Sequence, residues 1–256
     1  ISAVEQATPE IMERKTIIEN SLERVGVHEA TPEGLRGGEV QISDAVPKAS
    51  ESPQILIVVT TNRSMLKVRA AAIVQSWAGH LPDNISVVFF VGRQPADETN
   101  EDIEALAKGA GLADRSSVVV LDVEDHEYPP VYKNTAMLTE ADTIVQEIRK
   151  QGNNPIEWVF KVDDDTYVNT EKLIAFLRSK DPSQYHFYGS HGVGRHADRE
   201  ELKKSGLEKP FCMGGPGYIL SHSALHASAS SFGTCVAEFD VSPGREKIWH
   251  SDTVIG

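Results

Sequence analysis

An unbroken apolar run, Ile55-Leu-Ile-Val-Val59, stands between two polar stretches. Such a run suits a strand covered on both faces, as in the centre of a parallel sheet. A polar loop, Thr60–Ser64, follows it, and the spacing then predicts a helix over Arg69–Trp77. Further apolar strands are expected at Ile85–Val91, Ser117–Val123, Trp158–Val162 and His186–Gly189. Helical patterns fall at Glu101–Lys108, Asn134–Lys150 and Thr170–Arg178. In the second of these, Met137, Ala141, Ile144, Val145 and Ile148 share one face. Strands alternating with helices imply an α/β domain built on a mainly parallel sheet flanked by helices. Ligands of such sheets sit beyond the carboxyl ends of the strands. Both Thr60–Ser64 and Asp163–Asp165 occupy such ends.

The segment ahead of this domain reads differently. Thr8-Pro9-Glu10 has the form of an N-cap with proline in the first turn. Ile11, Ile18, Leu22 and Val25 then recur at helical spacing until Gly26. Glu29–Ser52 is rich in Gly, Pro, Ser and acidic residues without periodicity, as a linker is. Residues 1–53 are therefore expected to be a stem with one helix, and 54–256 the α/β domain. The chain starts at Ile1 with no signal peptide, so it is read as an excised piece whose membrane anchor, if any, lies upstream.

A net charge of −13, from 25 basic and 38 acidic residues, repels phosphate backbones and anionic lipid, which argues against a nucleic-acid partner. It also serves plain solubility. No run of about 18 apolar residues is present to span a membrane. Cys212 and Cys235 suit a disulfide in an oxidising compartment, but two buried thiols would give the same sequence. Asn62-Arg-Ser and Asn84-Ile-Ser are glycosylation sequons of a kind that also arises by chance.

Three aspartates, Asp163-Asp-Asp165, directly follow the strand Trp158–Val162. Adjacent carboxylates oppose one another's ionisation unless a cation or donors offset them. Hard oxygen ligands suit Mn²⁺ or Mg²⁺, which commonly bridge carboxylates to substrate phosphates. The bland reading is a solvated acidic turn, and Thr166-Tyr-Val168 is expected to resume strand character. Phe211-Cys-Met-Gly-Gly-Pro-Gly-Tyr-Ile-Leu-Ser221 is the second constellation. Its glycines fit either a tight turn or a loop where backbone meets ligand. Ser221 caps a helix through Ala224-Leu225. No Gly-Lys-Ser/Thr ending makes it a P-loop. The third is His250-Ser-Asp-Thr-Val-Ile-Gly256, where Asp252 could act as a general base or merely as a surface carboxylate. His186, His191, His196, His222 and His226 lack paired ligand spacing and read as surface or core residues. Trp249 suits sugar stacking and packing equally.

Taken in order, Lys161-Val-Asp-Asp-Asp-Thr-Tyr-Val168, the Cys-Met-Gly-Gly-Pro-Gly-Tyr segment and Asp-Thr-Val-Ile-Gly resemble the Fringe-like β1,3-glycosyltransferases. The core 1 β1,3-galactosyltransferase branch has the most similar pattern. Arg69 with Ser76-Trp77 is similar to that family's early Arg…Thr/Ser-Trp signature. The resemblance covers about residues 54–256. It implies a GT-A type, Rossmann-like fold and inverting transfer of a hexose, of galactose or N-acetylglucosamine type, from a UDP-sugar. The acceptor would be a hydroxyl of a glycan or glycoprotein, and the protein would be type II anchored in the Golgi or endoplasmic reticulum, or secreted. It implies Mn²⁺ (or Mg²⁺) on Asp165 and Asp163, with Asp163, Asp164, Thr60, Thr61 and Arg69 about the nucleotide. Gly214 and Gly215 would line the donor sugar, and Asp252 would be the base. Cys212 and Cys235 match a disulfide pair flanking the site. Asn62 would then lie in the nucleotide loop, leaving Asn84 as the better glycosylation site.

Two departures accompany the match. The family's histidine metal ligand falls downstream of the Asp-x-x-x-Gly element, past Gly256. Ser251 also stands where the family often has an acid. A catalytically silent relative acting as binding or folding partner of an active transferase is the alternative. A nucleotidyltransferase is a third, disfavoured because Thr60–Ser64 offers only Arg63 as a basic residue.

Overall fold

The computed structural model describes residues 52–93, 107–108, 112, 117–126, 130–152, 154–192 and 211–241. The expected stem helix, most of Glu101–Lys108, and Trp249, Asp252 and His196 lie outside these residues.

The expected strands form. Strand β1 is Ile55–Thr60, β2 is Ile85–Arg93, β3 is Ser117–Glu124, β4 is Trp158–Asp163 and β5 is Phe187–Gly189. Short strands β6 (His191–Gly192) and β7 (Phe211–Cys212) pair with each other. A four-residue strand, β8 (Tyr218–Ser221), completes the main sheet, whose order is β3-β2-β1-β4-β8-β5. Strands β1 to β4 run parallel, and β8 alone is antiparallel to its neighbours β4 and β5. The sheet is thus mixed, with a parallel majority as the alternation implied.

Two-residue periodicity divides the core between the faces of this sheet. Ile55, Ile57 and Val59 of β1 join Phe89, Trp158, Leu66, Trp77, Leu173 and Leu177 on one side. Leu56 and Val58 join Phe90, Val159 and the long helix on the other. Burial on both faces is why β1 contains no polar residue before Thr60. That long helix, α2 (Val131–Lys150), begins three residues earlier than its apolar stripe predicts and presents Met137, Leu138, Ala141, Val145 and Ile148 inward. Helix α3 (Thr170–Leu177) starts on Asn169, whose side chain accepts from Lys172 N–H at 2.9 Å. Helix α4 (His222–Ala229) is capped by Ser221, as expected, through Ala224 N–H at 3.2 Å. Helix α5 (Phe232–Val241) follows.

Two local expectations are corrected. The helix over Arg69–Trp77 is instead a 3₁₀ turn (Arg63–Met65), a π turn (Leu66–Ala70) and a short α1 (Ala71–Gln75). Asn62 nucleates the first turn early by accepting Met65 N–H at 3.1 Å. Ser76 ends the last, its hydroxyl bonding back to Ala72 O at 2.6 Å, an alternative to continued helix open to serine. Nor does Thr166–Val168 resume a strand. Thr166 N–H bonds to Asp163 O at 3.1 Å, so the triplet turns the chain.

Candidate functional site

Parallel pairing sets Thr60 of β1 directly opposite Asp163 of β4. The residues after each strand therefore emerge side by side at one edge of the sheet. Thr61 Oγ1 donates to Asp164 Oδ2 at 2.7 Å. From the π turn, Arg69 Nη1 reaches Asp164 Oδ1 at 2.6 Å and Asp165 Oδ2 at 3.6 Å. The Asp164 hydrogen bond, with both neighbouring charges, raises the Arg69 pKa further. The three carboxylates consequently differ. Asp164 is clasped on both oxygens with its side chain 9% exposed, whereas that of Asp165 is 67% exposed. Asp163 is ion-paired with the buried Lys161. Burial pushes the Asp163 carboxyl above the usual range, Lys161 pulls it back, and Asp165 and Asp164 push it up again.

The glycine segment closes over the same edge. Lys161 Nζ lies 3.4 Å from Gly214 O, and Thr166 Oγ1 donates to Gly215 O at 2.9 Å. Its glycines have distinct reasons. Gly217 has φ +89° and backs onto β4, where a Cβ would come within 2.7 Å of Lys161 O. Gly215 is exposed, and a Cβ there would meet nothing within 4 Å. The turn reading thus holds at Gly217, while Gly214 and Gly215 sit beside the triplet.

Beneath the Thr60–Arg63 loop is a second polar group that the sequence pattern does not reveal. Lys133 and Asp125 form a buried ion pair at 3.0 Å, and Asn134 accepts from Thr60 Oγ1 at 3.0 Å. The only sequence signal is placement: Lys133 and Asn134 precede the apolar stripe of α2, and Lys161 interrupts an apolar strand.

The structure therefore brings Thr60, Thr61, Arg69, Asp163, Asp164, Asp165, Gly214 and Gly215 to one edge. Among the described residues no group of three or more His, Cys, Asp or Glu side chains is arranged to hold a metal. The donors do suit a hard dication shared with a ligand: three carboxylates face two cations, and exposed Asp165 keeps ligand capacity. The implied disulfide is corrected. Cys212 and Cys235 are half-buried thiols. Cys212 is seated on β5, so close that a Cβ at Gly189 would lie 3.0 Å from its Sγ, and Cys235 rides on α5. Burial pushes the Cys212 thiol up. Two of the described histidines are engaged by other groups: His186 stacks on Trp158, and His226 pairs with Asp142 at 3.1 Å. Asn84 Nδ2 donates to Pro53 O at 2.7 Å. Among the described residues, no helix is long and apolar enough to cross a membrane.

A sequence model of the Fringe-like family matches residues 50–239. Human "Chondroitin sulfate synthase 3" is 32% identical over 78% of this chain and 21% of its own length. Human "N-acetyllactosaminide beta-1,3-N-acetylglucosaminyltransferase 2" is 26% identical over 71% of this chain and 47% of its own. The Xenopus laevis "Glycoprotein-N-acetylgalactosamine 3-beta-galactosyltransferase 1" is 25% identical over 75% and 43%. The chain thus spans between about a fifth and a half of these relatives. A looser likeness is to the galactosyltransferase LgtC, solved with donor and acceptor sugar analogues, at TM-score 0.40 and 13% identity over 78% of this chain and 69% of that one.

Proposed function

The chain belongs to the Fringe-like family, and from that premise we propose that residues 54–256 are a GT-A type, inverting glycosyltransferase domain that moves a hexose from a UDP-sugar to a glycan or glycoprotein hydroxyl in β1,3 linkage. The names of two relatives support the linkage and the sugar type, N-acetylglucosamine in one and galactose in the other. The observation that carries the reading is the register that sets Thr60 beside Asp163. It gathers Thr61, Arg69 and the triplet where an α/β sheet takes its ligands.

The charges of the site suit a diphosphate only with help. Three carboxylates against Lys161 and Arg69 leave an excess of negative charge, and a diphosphate adds more. Asp165 and Asp163 are the residues that would hold a divalent cation, Mn²⁺ or Mg²⁺, which would supply charge neutralisation for the departing UDP. Asp164, held by Thr61 and Arg69, keeps the triplet fixed about the nucleotide. Thr60 ties the loop to α2. Gly214 and Gly215 border the donor sugar, their missing side chains leaving room for it. Asp252 takes the acceptor hydroxyl's proton as that oxygen attacks the anomeric carbon, in line with the leaving UDP. One displacement inverts the configuration and needs no covalent intermediate. The family resemblance implies a Golgi or endoplasmic reticulum lumen with type II anchoring.

A panel of UDP-sugars incubated with the full-length protein tests the reading. Turnover of UDP-galactose or UDP-N-acetylglucosamine that needs Mn²⁺ and disappears in Asp252→Asn is expected. A protein that turns over no UDP-sugar, with a cellular role intact in Asp252→Asn, would instead be a silent partner of another transferase.

A further inference from the structure

The buried Asp125–Lys133 pair lies directly below the loop that reaches the aspartate triplet. The side chains are 1% and 5% exposed and meet at 3.0 Å. Charges so far from water persist only when their bonding capacity is filled, and here it is filled by backbone. Asp125 Oδ1 accepts Gly92 N–H at 2.7 Å, and Oδ2 accepts Arg63 N–H at 2.8 Å. Lys133 Nζ donates to Thr61 O at 3.1 Å and to Asp125 O. Arg63 Nε returns a bond to Gly92 O at 3.1 Å. Gly92 is needed for the approach, since a Cβ there would lie 2.5 Å from Asp125 Cα.

These bonds join the loop after β1, the end of β2, the chain beyond β3 and the first turn of α2. The loop is held from two sides. Thr61 gives its carbonyl to Lys133 and its hydroxyl to Asp164. The second bond leads to the triplet.

We propose that Asp125 and Lys133 are positioning residues for nucleotide binding: they fix Thr61–Arg63 so that Thr61 can hold Asp164 in place. This rests on the donor reading above for its ligand, but the anchoring itself is independent of it. An ordinary core ion pair would support the whole sheet evenly, whereas an anchor acts on the loop.

The test uses the full-length protein and the double substitution Asp125→Asn/Lys133→Met, which removes both charges and leaves neither buried alone. Two readouts are taken: amide hydrogen exchange without ligand, and the affinity for UDP with Mn²⁺. Exchange at Thr61–Met65 should quicken at least tenfold while Ile55–Val59 and Val87–Val91 keep their protection, and UDP should bind about tenfold more weakly. Lys133→Arg, which preserves the charge, should recover part of both. Unchanged loop exchange, or exchange quickened equally along the strands, overturns the proposal, as does UDP affinity within twofold of the original. If the original protein binds no UDP, the donor reading fails, and loop exchange alone decides whether the pair is an anchor.

Discussion

At the scale of residues, the site depends on how each charge is held. The Arg69 guanidinium is 46% exposed, so solvent screens its pairing with Asp164 and the pair adds little to folding. It sets where Asp164 stands. Arg69→Ala should therefore leave the melting temperature nearly unchanged and weaken UDP binding at least tenfold, measured by scanning and titration calorimetry. Glu157 shows the opposite balance. Burial raises its carboxyl above the ordinary value, against the opposing pulls of Gln54 N–H and Arg149. A carboxyl raised on folding stabilises below its unfolded pKa and loses that contribution as pH climbs through the folded value. Glu157→Gln should hence melt higher than the original at pH 7 and equally near pH 3. The triplet was legible because acids directly after an apolar strand stand out in one dimension. Asp125 and Lys133 were not, since their meaning depends on partners such as Gly92 and Arg63 from other strands.

At the scale of elements, Gly215 and Gly217 of the Gly214–Gly217 turn should separate packing from ligand contact. Gly217→Ala puts a side chain into a left-handed conformation and against Lys161 O. It should lower the melting temperature, with loss of activity following from the displaced turn. Gly215→Ala meets open space and should melt like the original. If Gly215 borders the donor sugar, activity should fall nonetheless, read as a higher KM for the UDP-sugar. The long apolar strands and the stripe of α2 were legible because burial repeats at a fixed period. Strand β8 was not, for it has four residues behind a glycine turn and pairs with β4, distant in sequence. The π turn escaped for a related reason: Asn62 and Ser76 redirect backbone bonds that the apolar spacing alone assigns to one helix.

For the whole molecule, one arrangement accounts for both fold and site. Parallel strands in the order β3-β2-β1-β4 direct their carboxyl ends to a common edge. The Lys133–Asp125 pair joins three of those ends, and the aspartate triplet follows the fourth. The sequence pattern shows the alternation, while the register that makes neighbours of Thr60 and Asp163 comes only from the folded sheet. Under the proposed function, this edge takes a nucleotide diphosphate through a divalent cation. Titration calorimetry of UDP into the full-length protein, with Mn²⁺ and then with a chelator, tests it most directly. Binding with Mn²⁺ that disappears on chelation and is lost in Asp165→Asn is the expected result; UDP binding that is the same with and without the metal would overturn the metal-bridged site.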